Sequence, residues 1–566
     1  MSPPPPRFGA AALALACPCL VRHRADEGRD ALGGARDIGF LGGLCLLTNN
    51  ILSTGMVQIP GLFQSAGWVL PCVAFTLTAA WTCACALMLA RAMTRLPGNA
   101  AFGRRVEFAN LLEQLLPRWA FLAALFAIIA TFVASNVSNV VVSAQVADDI
   151  LLQLAGRTCA LVLVAAPGGD ATPLQCVSLD AAGSQIADSP FGAAYTVSAG
   201  FLLVAAICVP LSYVALDDNI VFQIAGVALN VLCVLVWCAN FVAMGLSADS
   251  MPAFASAPAP GSGGPANWAL AAYAPLVPTV VFNYAFVATT PSWANEKGPG
   301  VSVTRTFAAS CALAAVLYLL LGFFGALSPV DFTSSGADVL TIIVGGQVPG
   351  VWRASQVAAY VFPAANLMTS IPVFSVMVRY NLVNAGLLTP LPANLVGIGA
   401  PWLLALVFYS GNALTELINW SSAAFFGVVN LVLPPLLFLA QERLLARGGA
   451  GAGAGEERLL GGAAGEGEGE WGGEGERGGG LFSLRGMSAS SSSLSEGVTS
   501  LNDAAPAAMA AEADVEEDIR PSPACFRRHC LGDGRLAWLL LATGAALSVV
   551  SLALQAVAEV QQDTAS

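Results

Sequence analysis

The stretch Thr48–Trp68, TNNILSTGMVQIPGLFQSAGW, lies inside the first long apolar segment yet carries Asn49, Asn50, Ser53, Thr54, Gly55, Gln58 and Pro60. At bilayer depth such a run survives only where it is buried in protein or lines a wet cavity, because lipid cannot satisfy freed backbone groups. The expectation is a broken membrane helix that forms half of a solute site. A Pro/Gly kink packed against a neighbouring helix suits the same residues.

The composition sets the class. With 566 residues, 56% hydrophobic and 11% charged, and a mean hydropathy of +0.71, the chain reads as an all-α polytopic membrane protein. The formal charge of -12 is concentrated in two acidic stretches, 456–476 and 512–518, which read as solvated linker rather than as a surface for a basic partner. Most cysteines, including Cys72, Cys83, Cys85, Cys208, Cys233, Cys238 and Cys311, sit in apolar runs as small buried hydrophobes. Cys525, His529 and Cys530 are too few and too crowded for a zinc site. No nucleophile with an activating base, metal site or phosphate loop is present, so an enzyme is not expected.

Apolar runs long enough to cross about 30 Å of hydrocarbon fall at 38–67, 68–92, 117–146, 193–213, 220–246, 268–292, 301–327, 353–378, 393–410, 413–440 and 535–559. That gives eleven transmembrane helices. The shorter run Leu151–Ala166 reads as a loop or a partly inserted piece. With the N-terminus inside, cytoplasmic loops then hold Arg91, Arg95, Arg104, Arg105, Arg118, Lys297, Arg305, Arg379, Arg443, Arg447 and Arg535, against Arg157 and Arg353 outside. Another span at 151–166 would invert every later loop and destroy this asymmetry.

The expected organisation follows. Residues 1–37 form a disordered cytoplasmic tail, whose apolar run Phe8–Val21 also fits a targeting segment. Residues 38–441 form a ten-helix transporter core with helices one and six broken. Residues 442–534, rich in Gly, Glu and Ser, form a disordered cytoplasmic linker, in which Ser488–Ser493 downstream of Arg485 fits a phosphorylation patch but also ordinary serine-rich linker composition. Residues 535–560 are the eleventh helix, and 561–566 a short outer tail.

A break in a membrane helix exposes backbone groups that do chemistry. The N-terminus of a half-helix presents unpaired N–H groups to an anion, while the preceding carbonyls face a cation. Amides of Thr54, Gly55 and Met56 are placed to hold a carboxylate, and carbonyls of Leu52 or Ser53 an ammonium. The sixth span, PLVPTVVFNYAFVATTPSWANEKGPGVSV, is interrupted again by Pro278, Asn283, Thr289, Thr290 and Pro291. Breaks in spans one and six occupy corresponding positions of two five-helix halves, the pattern of an inverted-repeat secondary transporter.

These residues carry a family resemblance. Asn49, Gly55 and Pro60 in N-x5-G-x4-P, followed by Gly67 and Trp68, resemble the first span of the amino acid/auxin permease family. The segments FNYAFVATTPSWANEKGP, LDDNIVFQ and IPVFSVMVR, the last ending at Arg379, are similar too. The resemblance covers roughly 38–440. It implies an amino acid transporter of the APC superfamily, with a LeuT-like 5+5 inverted repeat plus one C-terminal helix, coupled to sodium or protons. One departure is that the family usually has glycine where this chain has Ser53.

Span three adds a polar stripe of Ser135, Asn136, Ser138, Asn139 and Ser143, which suits either a cavity wall or helix–helix contact. The expected substrate-binding set is Ser53, Thr54, Gly55, Met56, Ser135, Asn139, Phe282, Asn283 and Tyr284. Phe286, Trp293 and Glu416 are gate candidates. Titratable groups are scarce at mid-span: His23 and His529 fall outside the spans, and Asp148, Asp149, Asp217, Asp218, Glu296 and Glu416 lie near span ends. A sodium ion needs only neutral oxygens, which makes Asn49, Thr369 and Ser370 the cation candidates, at positions matching those that hold the ion in sodium-coupled relatives. Ordinary hydroxyls bonded to the preceding turn look the same, and Glu416 is the best proton candidate.

With no counter-charge for a charged side chain, the expected cargo is neutral amino acids, moved by alternating access. The alternative is an amino acid sensor that signals without appreciable flux. No cofactor is expected beyond Na+ or H+ as coupling ion, and no nucleic acid. The expected partners are an amino acid and the lipid bilayer, in the plasma membrane or a vacuolar/lysosomal membrane. A Cys159–Cys176 disulfide in the outer loop fits either membrane.

Overall fold

In the computed structural model the residues described are 36–164, 173–178, 191, 195–213, 216, 219–255, 272–333, 338–344, 348–409, 413–446 and 533–565. Helix α1, Phe40–Ile51, stops where Leu52 (ψ 103°) and Ser53 (φ -112°, ψ 176°) turn extended. A 3-10 turn, Thr54–Gln58, leads into α2, Ile59–Ala66, and the two halves of this first span meet at 57°. Pro60 lies in the first turn of α2, where its missing N–H has no helical acceptor to lose.

Helix α3, Val69–Thr94, returns toward the side that the Lys/Arg pattern assigns to the cytoplasm, where the short α4, Phe108–Leu115, lies. Helix α5 runs Arg118–Ala155, 38 residues, about 57 Å at 1.5 Å per residue. It therefore overshoots the expected span end near residue 146. Gly156, with φ +73°, closes it in the left-handed conformation that suits glycine.

The chain next forms an antiparallel sheet of order β2-β1-β3, built from β1 Arg157–Val164, β2 Leu174–Ser178 and β3 Tyr195–Ser198. The spans stay helical, and this sheet is confined to the loop between α5 and α6. The run after Leu151 is apolar but too short to span; its first residues finish α5 and the rest pair as strands, as a short β-branched run does when a partner is held beside it. Cys159 stands opposite Cys176 and is bonded to it, the pairing expected for the outer loop.

Ser198 caps α6, Ala199–Leu211, by accepting from the Phe201 amide. Helix α7 is Ile220–Ala243. The sixth apolar stretch is divided: α8, Leu276–Asn283, a 3-10 turn Val287–Thr289, and α9, Thr290–Glu296, with Pro291 in its first turn. There follow α10 Val303–Leu327, α11 Val339–Val344, α12 Arg353–Asn384, α13 Pro390–Val407, α14 Leu417–Ala446 and α15 Asp533–Ala565.

Among the described residues, eight helices are long and apolar enough to cross a membrane, or nine with α1 and α2 counted as one bent span. The protein is thus polytopic and helical through its spans, but the count of eleven is not reached by that measure. The shortfall has a simple cause: α6 has 13 residues, and the second break leaves α8 and α9 with 8 and 7. Helix α12 is central, with 76% of its apolar window buried, whereas α15 is peripheral at 28%. Residues 1–35 and 447–532, which hold most of the expected tail and linker, lie outside the described residues, as do Asp217 and Asp218.

Candidate functional site

The two breaks face each other and are tied at three points. Ser53 Oγ donates to Asn283 Oδ1 at 3.0 Å. The Tyr318 hydroxyl, from α10, lies 2.7 Å from the Ile51 carbonyl and 3.0 Å from the Asn283 carbonyl. One proton is thereby shared between two carbonyls that the breaks leave without a helical partner. Gly55 is the third point: a Cβ there would lie 2.8 Å from Asn283 Nδ2 and 3.1 Å from Phe282 Cδ1. Only a residue without a side chain permits this approach.

Of the three amides expected to hold a carboxylate, that of Met56 closes the 3-10 turn onto the Ser53 carbonyl at 3.1 Å. Those of Thr54 and Gly55 open the turn, where the helical ladder supplies no acceptor. The Thr54 hydroxyl meets Ser138 Oγ of α5 at 3.1 Å. At the second break Asn283 Nδ2 turns back to the Thr279 carbonyl at 2.8 Å, and the Ala288 amide donates to Asn430 Oδ1 of α14 at 3.2 Å. The second break is thus pinned by side chains from neighbouring helices.

Between the breaks lies a small cavity. Ser53, Ser135, Asn139 and Phe282, expected for substrate, line it together with the cation candidates Asn49 and Ser370. Asn50, Phe374 and Phe426 complete much of its wall, and no lining residue is ionisable. Its volume of about 20 Å³ corresponds to on the order of one water, so the side chains around it are closed upon one another.

Thr54, Gly55, Met56, Asn283 and Thr369 are not on this wall, and three further expected residues pack away from it. Tyr284 is fully buried against Tyr318 and Phe75, with ring centroids 5.5 and 6.2 Å apart. Phe286 and Trp293 pack on Phe307 at 6.3 and 5.2 Å, and Trp293 also lies against Gly43. They form an aromatic pile beside the cavity rather than its wall, because the irregular turn after Asn283 rotates successive side chains off the helical face that sequence spacing assumes. Glu416 sits on the helical turn Ala413–Ser421, and its side chain lies outside the described residues.

Asn49 is the centre of a polar knot. Its Nδ2 lies 2.8 Å from Gln223 Oε1, 3.2 Å from the Gln223 carbonyl and 3.4 Å from Thr369 Oγ1. Asn230 Nδ2 reaches Asn49 Oδ1 at 3.3 Å, and Gln223 Nε2 donates to the Thr369 carbonyl at 2.9 Å. The Thr369 and Ser370 hydroxyls donate to carbonyls one turn back, Thr369 to Ala365 and Asn366, and Ser370 to Asn366. Gly226 makes the knot possible, since a Cβ there would meet the Ala365 carbonyl at 2.5 Å and Asn49 Nδ2 at 2.9 Å.

Sequence reading missed Gln223, Asn230 and Tyr318. The first two left a signal, an amide pair seven residues apart on one face of the apolar α7. A lone tyrosine in an apolar span leaves none.

Among the described residues, Asp148, Asp149, Glu107 and Glu296 near the span ends are buried. Asp148 accepts from Thr158 Oγ1 at 2.7 Å, the Gly200 amide at 2.8 Å and the Tyr409 hydroxyl at 2.5 Å. On the opposite side, the Ile38 amide donates to the Glu296 carbonyl at 3.2 Å, and the Gly298 amide donates to the Ile38 carbonyl at 2.9 Å. There Glu107 accepts from Ser292 Oγ at 2.6 Å and Asn295 Nδ2 at 2.8 Å. Burial pushes the Glu107 carboxyl above the usual carboxylate range, against the opposing pull of those two hydrogen bonds and of Arg105. Glu296, fully buried, meets the Tyr380 hydroxyl at 3.2 Å and Arg105 at 3.7 Å. This seam docks α9 and the start of α1 onto the loop before α4.

Residues 36–167 match the profile of a family described as transmembrane amino acid transporter protein. Over that segment, about a quarter of the chain, the sequence is similar to this family. The family match takes in the first break, Asn49 and the polar face of α5, while the second break lies beyond it. No curated protein matches the sequence. Among solved structures, the nucleobase-cation-symport-1 family transporter Mhp1, closed with bromovinylhydantoin bound, aligns at TM-score 0.44 and 13% identity, over 73% of this chain and 81% of that one. A manganese transporter of Eremococcus coleocola in complex with an aromatic bis-isothiourea compound aligns at TM-score 0.46 and 10% identity, over 92% and 93%. Likenesses of that size add nothing to the family match.

Proposed function

We propose that the protein is a secondary active transporter that moves neutral amino acids across a membrane by alternating access. The observation that carries this reading is the pairing of two broken helices around a cavity lined by polar but non-ionisable side chains. In this reading the core 38–441 has a LeuT-like 5+5 inverted repeat, with α15 as an extra C-terminal helix and 442–534 as a cytoplasmic linker. The amides of Thr54 and Gly55 take the substrate carboxylate, and nearby freed carbonyls take its ammonium. Phe282, Phe374 and Phe426 surround the side chain and move apart as substrate enters, since the closed cavity is too small for any amino acid.

Coupling runs through the Asn49 knot. Turning the Asn49 amide over would bring its Oδ1 toward Gln223 Oε1, the Gln223 carbonyl and Thr369 Oγ1. A set of neutral oxygens suits a sodium ion and offers no group for a proton. Ser370 lies next to Thr369 and lines the cavity, which links ion to substrate. The decisive experiment is uptake of radiolabelled alanine, glutamine and leucine by the purified protein in liposomes, under an imposed sodium gradient and separately a proton gradient. Saturable uptake driven by sodium is the expected result. Binding without flux would instead make the protein a sensor, and a strong preference for arginine or glutamate would overturn the neutral substrate class.

A further inference from the structure

Asn50 differs from Asn49, Ser53 and Ser370 on the same cavity wall, whose side chains are hydrogen-bonded. It is 5% exposed, it lines the cavity, and neither its Nδ2 nor its Oδ1 has a hydrogen-bond partner. Its neighbour Asn49 has both ends of its amide engaged. A buried amide left unpaired at both ends costs on the order of 1–3 kcal/mol per group, and a native protein rarely carries that cost without a use for the group.

Resting on the amino acid site proposed above, we infer that Asn50 is a specificity-determining residue that reads a carboxamide on the substrate side chain, and so favours glutamine and asparagine. A primary amide offers a donor face and an acceptor face side by side. Its full complement is a second primary amide, which returns one N–H and one C=O and forms two hydrogen bonds in a ring. A hydroxyl meets one of the two needs at a time, and an aliphatic side chain meets neither. A carboxylate returns acceptors only, and its charge has no ionisable partner on the cavity wall.

Position agrees with chemistry. Asn50 lies in the last turn of α1, across the extended pair Leu52 and Ser53 from the Thr54 and Gly55 amides, so it flanks the break at which the substrate backbone would be anchored. Ser135 and Asn139 face the same space from α5 and give a side-chain amide further polar contacts. Phe374 and Phe426 cover its methylenes.

The test is transport by the full-length protein in liposomes, comparing kcat/KM for glutamine, its apolar isostere norleucine, and alanine. Wild-type protein is expected to prefer glutamine over norleucine by at least ~10-fold, the scale set by leaving buried polar groups unpaired. In Asn50→Leu that preference should fall ~10- to 100-fold, with a monodisperse elution profile and an unchanged thermal midpoint as the controls for folding. Equal loss of all three substrates from a variant that remains monodisperse would overturn the inference, because Asn50 would then serve a group common to every amino acid. An unchanged glutamine-to-norleucine ratio would overturn it too. Should Asn50→Leu fail to fold, the wild-type ratio decides alone, and a ratio near one rejects the inference. Alanine transport without glutamine preference removes this inference only, whereas no transport of any amino acid removes the proposed function with it.

Discussion

The two breaks look alike in sequence, each an apolar run interrupted by Asn, Thr or Ser and Pro, but their surroundings differ. At the first, Asn49, Asn50 and Ser53 point into the cavity, and Asn50 is left without a partner. At the second, Asn283 is bonded at Thr279 and Ser53, Ala288 is capped by Asn430, and Tyr284 is packed among aromatic rings. In the function proposed above, the first break presents chemistry to a substrate, and the second holds the geometry. Unpaired polar groups also occur at the second break, at Tyr284, Thr290 and Trp293, but none of these lines the cavity, as Asn50 does.

That contrast can be broken first at Gly55. In Gly55→Val a Cβ must enter space 2.8 Å from Asn283 Nδ2, and Asn283 is held at both ends. Uptake should fall more than ~100-fold, the scale of a misplaced binding geometry, with normal amounts of protein in the membrane. Uptake intact at normal expression would mean that the breaks do not form the site. Tyr318→Phe comes next, because it removes the one hydroxyl shared by the two breaks. Leaving two buried carbonyls short of a donor costs on the order of 1–3 kcal/mol. The expected outcome is a lowered thermal midpoint with uptake reduced about 10-fold. An unchanged midpoint would show that the breaks hold without a common tether.

Ser53→Gly introduces the glycine usual in the family that this segment resembles, and deletes a single 3.0 Å hydrogen bond. Asn283 keeps its bond to Thr279, so the loss should be only about 1 kcal/mol, read as a change of a few fold in KM. A collapse of transport as large as that of Gly55→Val would make Ser53 a direct substrate ligand.

The smallest effect concerns the seam beneath the second break, where Ser292 and Asn295 dock on Glu107. The Glu107 carboxyl is raised above its ordinary 4.5, so the closed seam holds a proton more firmly than an open one. Its contribution to closure is fully present below pH 4.5 and is lost as pH rises through the raised value. Glu107→Gln fixes the neutral state and should flatten the pH dependence of thermal stability between those limits. An unaltered slope would assign the dependence to another group.

Much of this protein was legible in its sequence because lipid imposes strict rules. Apolar length sets the spans, and a polar Gly/Pro interruption can exist only against protein or a cavity. On those rules alone, Thr48–Trp68 and Pro275–Val303 announced two broken helices, and Ser135, Asn139, Ser53 and Phe282 were expected where they now line the cavity. The positive-inside asymmetry excluded 151–166 as a span, in agreement with the strand found there. The Cys159–Cys176 pairing was also readable.

Other features required the tertiary structure. Helical periodicity fails through an irregular turn, so sequence placed Tyr284, Phe286 and Trp293 at the site, and packing put them in an aromatic pile beside it. Residues far apart in the chain had to be brought together before Tyr318 could bridge Ile51 and Asn283, or Gln223 and Asn230 could surround Asn49. Asn50 is the clearest case. Its sequence position shows only a polar residue in an apolar helix, like Asn49 beside it. Which of the two amides is already satisfied depends on the neighbours that folding supplies.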